Sequence, residues 1–595
     1  MGIPERKNVN PQDTWDLSKL FSGDSEWENA LLRLAAYAPS IEQYKGSLGE
    51  SVDRLYSCLN VMNEVEQLDE RLGYYAHLKI AENMSDSVNT DRWGRYLSVS
   101  TKIKTASSYL NPELQSIPDK EMNAFLQDPL LKDFLIILRK ILRFKPHVLS
   151  VQEERLLSMQ SEANETANKA FSSLNDADLD FGTIKTPDGD KPLSQSTFSS
   201  FLLAQDRSIR EAAFHQFYAR YEGHKNTLAS LYNGSVQLDA YKAKVRNYPS
   251  ARAMALFPDN VSESVYDNLI ATVHDNLPSL HRYYALRKKV LGLDTLKHYD
   301  VYVPMISSIK TDYSYEKAVE LIIPALAPLG EEYCATLQNG LLGRWVDKYE
   351  NKGKRSGAFS AGSYHGDPYI LMNYKPDVLR DVFTLAHEGG HSMHSWYSVR
   401  NNHFQHYNYT IFEAEVASTF NEQLLAKKLI AEAESTEMKA YLIGKLVDDI
   451  IATIYRQTMF TEFEAESHSI VEAGRPLTVD VLRKTYRGLL EQYFGPHMEL
   501  EDVSDLEGLR IPHFYRAFYV YKYATGLSAS IALSKRVLEG GSTEREDYLR
   551  FLKSGGSKYP LESLKLAGVD MSTPEPIANA LHEFDMYVKT LETLI

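Results

Sequence analysis

Over most of this chain apolar residues recur three and four positions apart, a spacing that matches one face of an α-helix and does not suit a strand. The stretches Leu31 to Tyr37, Val52 to Ala81, Gln152 to Leu174 and Ser262 to Val290 all carry it. A chain patterned this way must bury helix against helix, so the expected fold class is mostly α. With 595 residues and 43% apolar content there is enough material for at least two packed regions. Two places break the helical habit. Asp178 to Leu193 holds the turn signal Thr186-Pro187-Asp188-Gly189 between short apolar runs and predicts a small hairpin. It suggests a division into an N-terminal helical region, 1–195, and a second region, 196–595. In Arg355 to Tyr374, Gly, Ser and aromatic residues precede a β-prone run after Gly366-Asp367-Pro368, which predicts a strand pair. An edge strand there could pair with an extended peptide through its backbone groups.

Charge and cysteine content narrow the function classes. Lys and Arg total 65 against 80 Asp and Glu, a formal charge of −15, which offers no general attraction for nucleic acid or for anionic membrane. The residues after Met1 are polar and charged through Asp16, unlike a secretory signal, and the expected location is the cytoplasm. No apolar run approaches a membrane span. The two cysteines, Cys58 and Cys334, fit free thiols in a reducing compartment and cannot build a thiolate metal cluster. A metal in this chain would need His and carboxylate ligands.

Such ligands stand in Pro376 to Arg400, where Pro376 can open a helix and Leu379, Val382, Phe383 and Ala386 supply its apolar face. That helix would carry His387-Glu388-Gly389-Gly390-His391. Histidines four apart project from one face, one turn apart, and can share a Zn²⁺. Glu388 is rotated by about 100° from His387, near enough to reach a water at the metal without ligating it, as a general base requires.

A hydrolytic zinc usually has three protein ligands and one open position. The extended motif with a third His fails, because positions 394 and 397 are His and Tyr where it needs Gly and His. Thermolysin-type and zinc-aminopeptidase spacings would put a Glu at Thr410 or Ile411. Just beyond, Ile411 to Glu422 reads as another helix. Glu413 and Glu415 are two apart and point about 200° away from each other, so only one can face the metal. Glu415 shares its stripe with Ser418, Thr419 and Glu422, whereas Glu413 falls near the helix start, where a carboxylate suits the macrodipole. Glu415 is therefore the expected third ligand. Glu422 could orient a ligand histidine, and His394 is expected to be structural.

The segment His387 to His394, followed by Glu415-Val416-Ala417-Ser418-Thr419-Phe420-Asn421-Glu422, resembles the thimet oligopeptidase (M3) family of zinc peptidases, and within it the oligoendopeptidase F branch. Thr14 to Phe21, Gly362 to Tyr374 and Ile511 to Gly526 are similar to the same branch, so the resemblance runs nearly end to end. It implies two helical halves around a deep channel, a small β element beside the zinc helix, and one Zn²⁺ per chain. It also implies short unstructured oligopeptides as substrates, cut at internal bonds. The expected assembly is a monomer or small homo-oligomer. The resemblance further implies that a His and a Tyr from Pro512 to Gly526 hydrogen-bond the substrate carbonyl or oxyanion. If that segment is one helix, His513 and Tyr521 share a face and Tyr519 projects elsewhere, which ranks Tyr521 ahead of Tyr519.

Overall fold

The computed structural model describes residues 2–306, 309 and 312–595. The chain is predominantly helical, as its periodicity requires. The helices that bear on function are α1 (Val52–Glu82), α2 (Leu379–Asn401), α3 (Ile411–Glu432), α4 (Arg456–Glu472) and α5 (Tyr521–Glu539). Strands β1 (Thr183–Thr186) and β2 (Gly189–Pro192) form the expected antiparallel hairpin. Strands β3 (Val346–Asp347), β4 (Phe359–Ala361) and β5 (Tyr369–Leu371) form a sheet ordered β3-β5-β4. In that sheet β4 is antiparallel and β3 parallel to β5. Among the described residues, no helix is long and apolar enough to cross a membrane.

Two expected helices are interrupted, each for a local reason. Ser262 to Val290 is divided into Glu263–Asp275 and Leu277–Val290. Pro278 lacks the N–H a continuous helix would need, and the Asn276 side chain donates back to the Thr272 carbonyl at 2.8 Å. Gln152 to Leu174 becomes Val151–Met159, Ser161–Asn164 and Thr166–Ser173. At the two joints Ser161 and Thr166 donate their hydroxyls to the carbonyls of Ser158 and Ala163, each at 2.7 Å, competing with the helix ladder.

The chain divides into two compact units, each assembled from separated segments. The first comprises Met1–Val148, Lys310–Lys428 and Leu533–Val569; the second comprises Leu149–Ile309, Leu429–Ala532 and Asp570–Ile595. The sequence-based cut at 195/196 falls inside the second unit, because the helical N-terminal part does not close a core of its own. Trp15, Leu20, Trp27, Leu72 and Leu131 instead share one apolar core with Ala361, Tyr369 and Leu371 of the β3-β5-β4 sheet. Backbone bonds reinforce this: Lys348 N–H donates to Asp13 O at 2.9 Å and Asp16 N–H to Arg344 O at 2.8 Å. The N-terminal segment thus backs the sheet that lies against α2.

Candidate metal and active site

Helix α2 starts at Leu379, three residues later than a Pro376 start would give. It buries Val382, Phe383, Leu385 and Ala386 and leaves His387 and His391 on a half-exposed face. Their imidazole rings lie 4.8 Å apart. Helix α3 brings Glu415 to the same place. Its Oε2 is 3.6 Å from His387 Nε2 and 4.0 Å from His391 Nε2. One donor atom from each of the three residues lies within 4.8 Å of the other two. Ligand-to-ligand edges around a tetrahedral zinc with bonds near 2.0–2.1 Å are about 3.3–3.4 Å, so a small contraction closes the set. The donors fit that ion chemically as well, being two imidazole nitrogens and one carboxylate oxygen.

The approach of α3 to α2 depends on Gly390. A Cβ at that position would sit 2.5 Å from the Ala417 carbonyl oxygen and 2.7 Å from Ser418 Cα. Hydrogen bonds fix the crossing: Asn421 donates to the Ala386 carbonyl at 3.2 Å and accepts from Tyr333 OH at 3.0 Å. Glu413, on another face of α3, accepts from the Thr410 N–H and hydroxyl at the helix start, each at 3.2 Å. The two acids therefore part as helix geometry required.

Glu422 faces His387, with its Oε1 2.6 Å from Nδ1. With Nδ1–H donated to Glu422, Nε2 is left to meet a metal. Burial alone would lower the His387 pKa, but the hydrogen bond and charge of Glu422, with Glu388 and Glu415, raise it to about 9. Burial and the neighbouring His387 push His391 the other way, well below its ordinary value. Replacing Glu422 by Ala is expected to weaken metal binding at this site about tenfold, measured by competition with a chromophoric chelator, while circular dichroism stays unchanged.

Glu388 is 6% exposed. Burial lifts its carboxyl to about 7, against the pull of His387, and the Ser360 backbone N–H is directed at it. Ser360 belongs to the edge strand β4, and its hydroxyl lies 2.8 Å from that of Ser392 on α2. Periodicity alone did not single out Ser360, whose role comes from the sheet abutting α2. His394 is fully buried and stacks on Tyr409, with centroids 3.5 Å apart at 7°. Burial lowers its pKa to about 3, and it packs rather than ligates.

The aromatic segment lies in the second unit and corrects one expectation. Pro512 to Gly526 is not one helix: Pro512–Tyr515 is a single 3-10 turn, the chain bends, and α5 begins at Tyr521. At the bend Phe518 has φ +56°, left-handed backbone that costs a bulky residue about 1–3 kcal/mol. The bend makes His513 and Tyr519 neighbours, with parallel rings 6.4 Å apart. Tyr523 joins them, its OH 3.5 Å from that of Tyr519 and its ring 6.1 Å from His513. The Arg516 guanidinium lies over the Tyr519 ring at 4.0 Å. Tyr521 is fully buried instead, 5.6 Å from the Tyr266 ring. The face-sharing argument for Tyr521 therefore fails with its helical premise.

A family model described as peptidase family M3 matches residues 200–583, and one described as oligopeptidase F matches residues 113–181. The chain belongs to peptidase family M3. As a member of family M3 it is a peptidase. The oligoendopeptidase F homolog of Borreliella burgdorferi is 42% identical over 99% of both chains. Oligopeptidase PepF of Bacillus subtilis is 41% identical over all of this chain and 89% of the relative. The crystal structure of oligoendopeptidase-F from Enterococcus faecium is 33% identical with a TM-score of 0.72, covering 96% of this chain and 99% of that one. Family M3 membership agrees with the resemblance carried by the motif segments.

Proposed function

We propose that this M3 peptidase is a zinc-dependent oligoendopeptidase that hydrolyses internal bonds of short unstructured peptides. The observation that carries the reading is the convergence of His387, His391 and Glu415 beside the buried Glu388. A zinc held by the three ligands would supply Lewis acidity for the scissile carbonyl and for a water. Glu388, with a carboxyl lifted toward neutral pH, takes the proton from that water and hands it to the leaving amine. Glu422 keeps His387 in the tautomer that ligates through Nε2. The outer edge of β4, next to Glu388, offers backbone groups to an extended substrate. His513 serves as hydrogen-bond donor to the oxyanion, with Tyr519 or Tyr523 as its partner, since these three share one cluster. Tyr521, buried against Tyr266, is the least suited of the segment's tyrosines.

Removal of metal with a chelator and return of one equivalent of Zn²⁺ tests the cofactor; activity is expected to vanish and recover. A series of peptides of increasing length, with products read by mass spectrometry, tests the substrate class. Internal cuts restricted to short peptides are expected. Full activity in metal-stripped protein would sink the zinc reading, and release of single terminal residues alone would sink the endopeptidase reading.

A further inference from the structure

The bend that gathers His513, Tyr519 and Tyr523 needs something to hold it. Phe518 is one of only three non-glycine described residues with positive φ, and the other two, Asn247 and Asn260, are of the type that tolerates it. Its ring is fixed in a socket: His468 lies 4.5 Å from it and Tyr266 5.8 Å, and Phe518 is 2% exposed. A seated ring does not by itself determine the backbone. That is done from α4, where Glu464, fully buried, accepts the Phe518 N–H at 3.1 Å. Among the described residues no ion pair accounts for burying this carboxyl. Its Oε2 has no hydrogen-bond partner among the described residues. Burial, with the charge of Asp239, lifts its pKa well above the ordinary value. A buried acid whose one hydrogen bond ends on a strained amide between two candidate active-site side chains calls for a role.

We propose that Glu464 is a positioning residue: by accepting the Phe518 N–H it holds the left-handed bend that sets Tyr519 and Tyr523 beside His513. The consequence for catalysis rests on the functional reading above, in which that cluster meets the oxyanion. The bend itself does not.

The test compares Glu464→Leu with Glu464→Gln. Gln keeps an acceptor of the same shape and reach for the Phe518 N–H; Leu keeps the volume and removes the acceptor. In Glu464→Leu, kcat is expected to fall on the order of 10²-fold with KM little changed, as when catalytic groups are displaced by about an ångström. Glu464→Gln is expected to stay near wild type. Zinc content should be unchanged in both. Hydrogen exchange over residues 516–523, which needs no substrate, should speed up in Leu only. If Glu464→Leu does not fold, Glu464→Asp, which withdraws the carboxyl by one methylene, carries the same expectation. Wild-type exchange and kcat in the Leu or Asp variant would overturn the proposal, as would equal damage from Gln. If Leu loosens the bend while His513→Ala and Tyr519→Phe leave kcat intact, Glu464 keeps its positioning role and the oxyanion reading falls.

Discussion

Glu388→Gln is expected to retain its metal and lose about 10²–10⁴-fold in kcat, the range over which a positioned general base accelerates proton transfer. Gln has the shape of Glu and can still meet the Ser360 N–H, so the fold and the three ligands should be undisturbed. It cannot accept the proton. KM should change little, because in the proposed mechanism the carboxyl acts on the water in the transition state rather than on the substrate in the ground state. Steady-state kinetics on a quenched fluorescent peptide, with zinc counted on the same sample, separate these effects. Activity within a fewfold of wild type would remove Glu388 from the mechanism, and loss of zinc would mean that it supports the site structurally.

Gly390→Ala is expected to damage both the fold and the metal site. The added Cβ meets backbone at 2.5 and 2.7 Å, and a carbonyl oxygen and a Cα cannot rotate aside as the end of a side chain can. Either α2 or α3 must move, at an overpacking cost of about 1–3 kcal/mol. The crossing lies between the histidines of α2 and Glu415 of α3, so the movement opens the ligand triangle. Zinc affinity should fall by about 100-fold, the upper range for disturbed support of metal ligands. Thermal unfolding and metal competition measure the two losses. Gly389→Ala is the control: its Cβ meets only the flexible Leu337 side chain, nearest atom 3.2 Å, and should cost far less. Equal effects from the two would refute the helix-crossing argument.

Much of this protein could be read from residue spacing. Periodicity foretold a helical fold, the Pro187-Asp188 turn a hairpin, and the four-residue step from His387 to His391 a shared helix face. The stripe of Glu415 with Ser418, Thr419 and Glu422 separated it from Glu413, because both arguments stay within one helix, where geometry follows from sequence. What escaped depends on contacts between distant segments. The core shared by Trp15 and Tyr369 joins residues more than three hundred positions apart, and no local signal announces it. The same holds for Glu464 and Phe518. Tyr521 was ranked on a continuous helix that ends at a left-handed phenylalanine, a conformation that sequence patterns reserve for Gly and Asn.

The interleaved composition of the two units bears on how the chain is made. The first unit takes its last stretch from Leu533–Val569, and the second takes Asp570–Ile595. Neither can reach its complete core before these stretches are translated, although the residues that gather at α2 and α3 are made about a hundred residues or more earlier. The nascent chain must therefore carry unfinished apolar surface over that interval, a window in which chaperones would engage it. For a peptidase the delay has a use. A candidate metal site whose supporting unit closes only after that interval is incomplete while it lasts, and has little opportunity to cut neighbouring nascent chains.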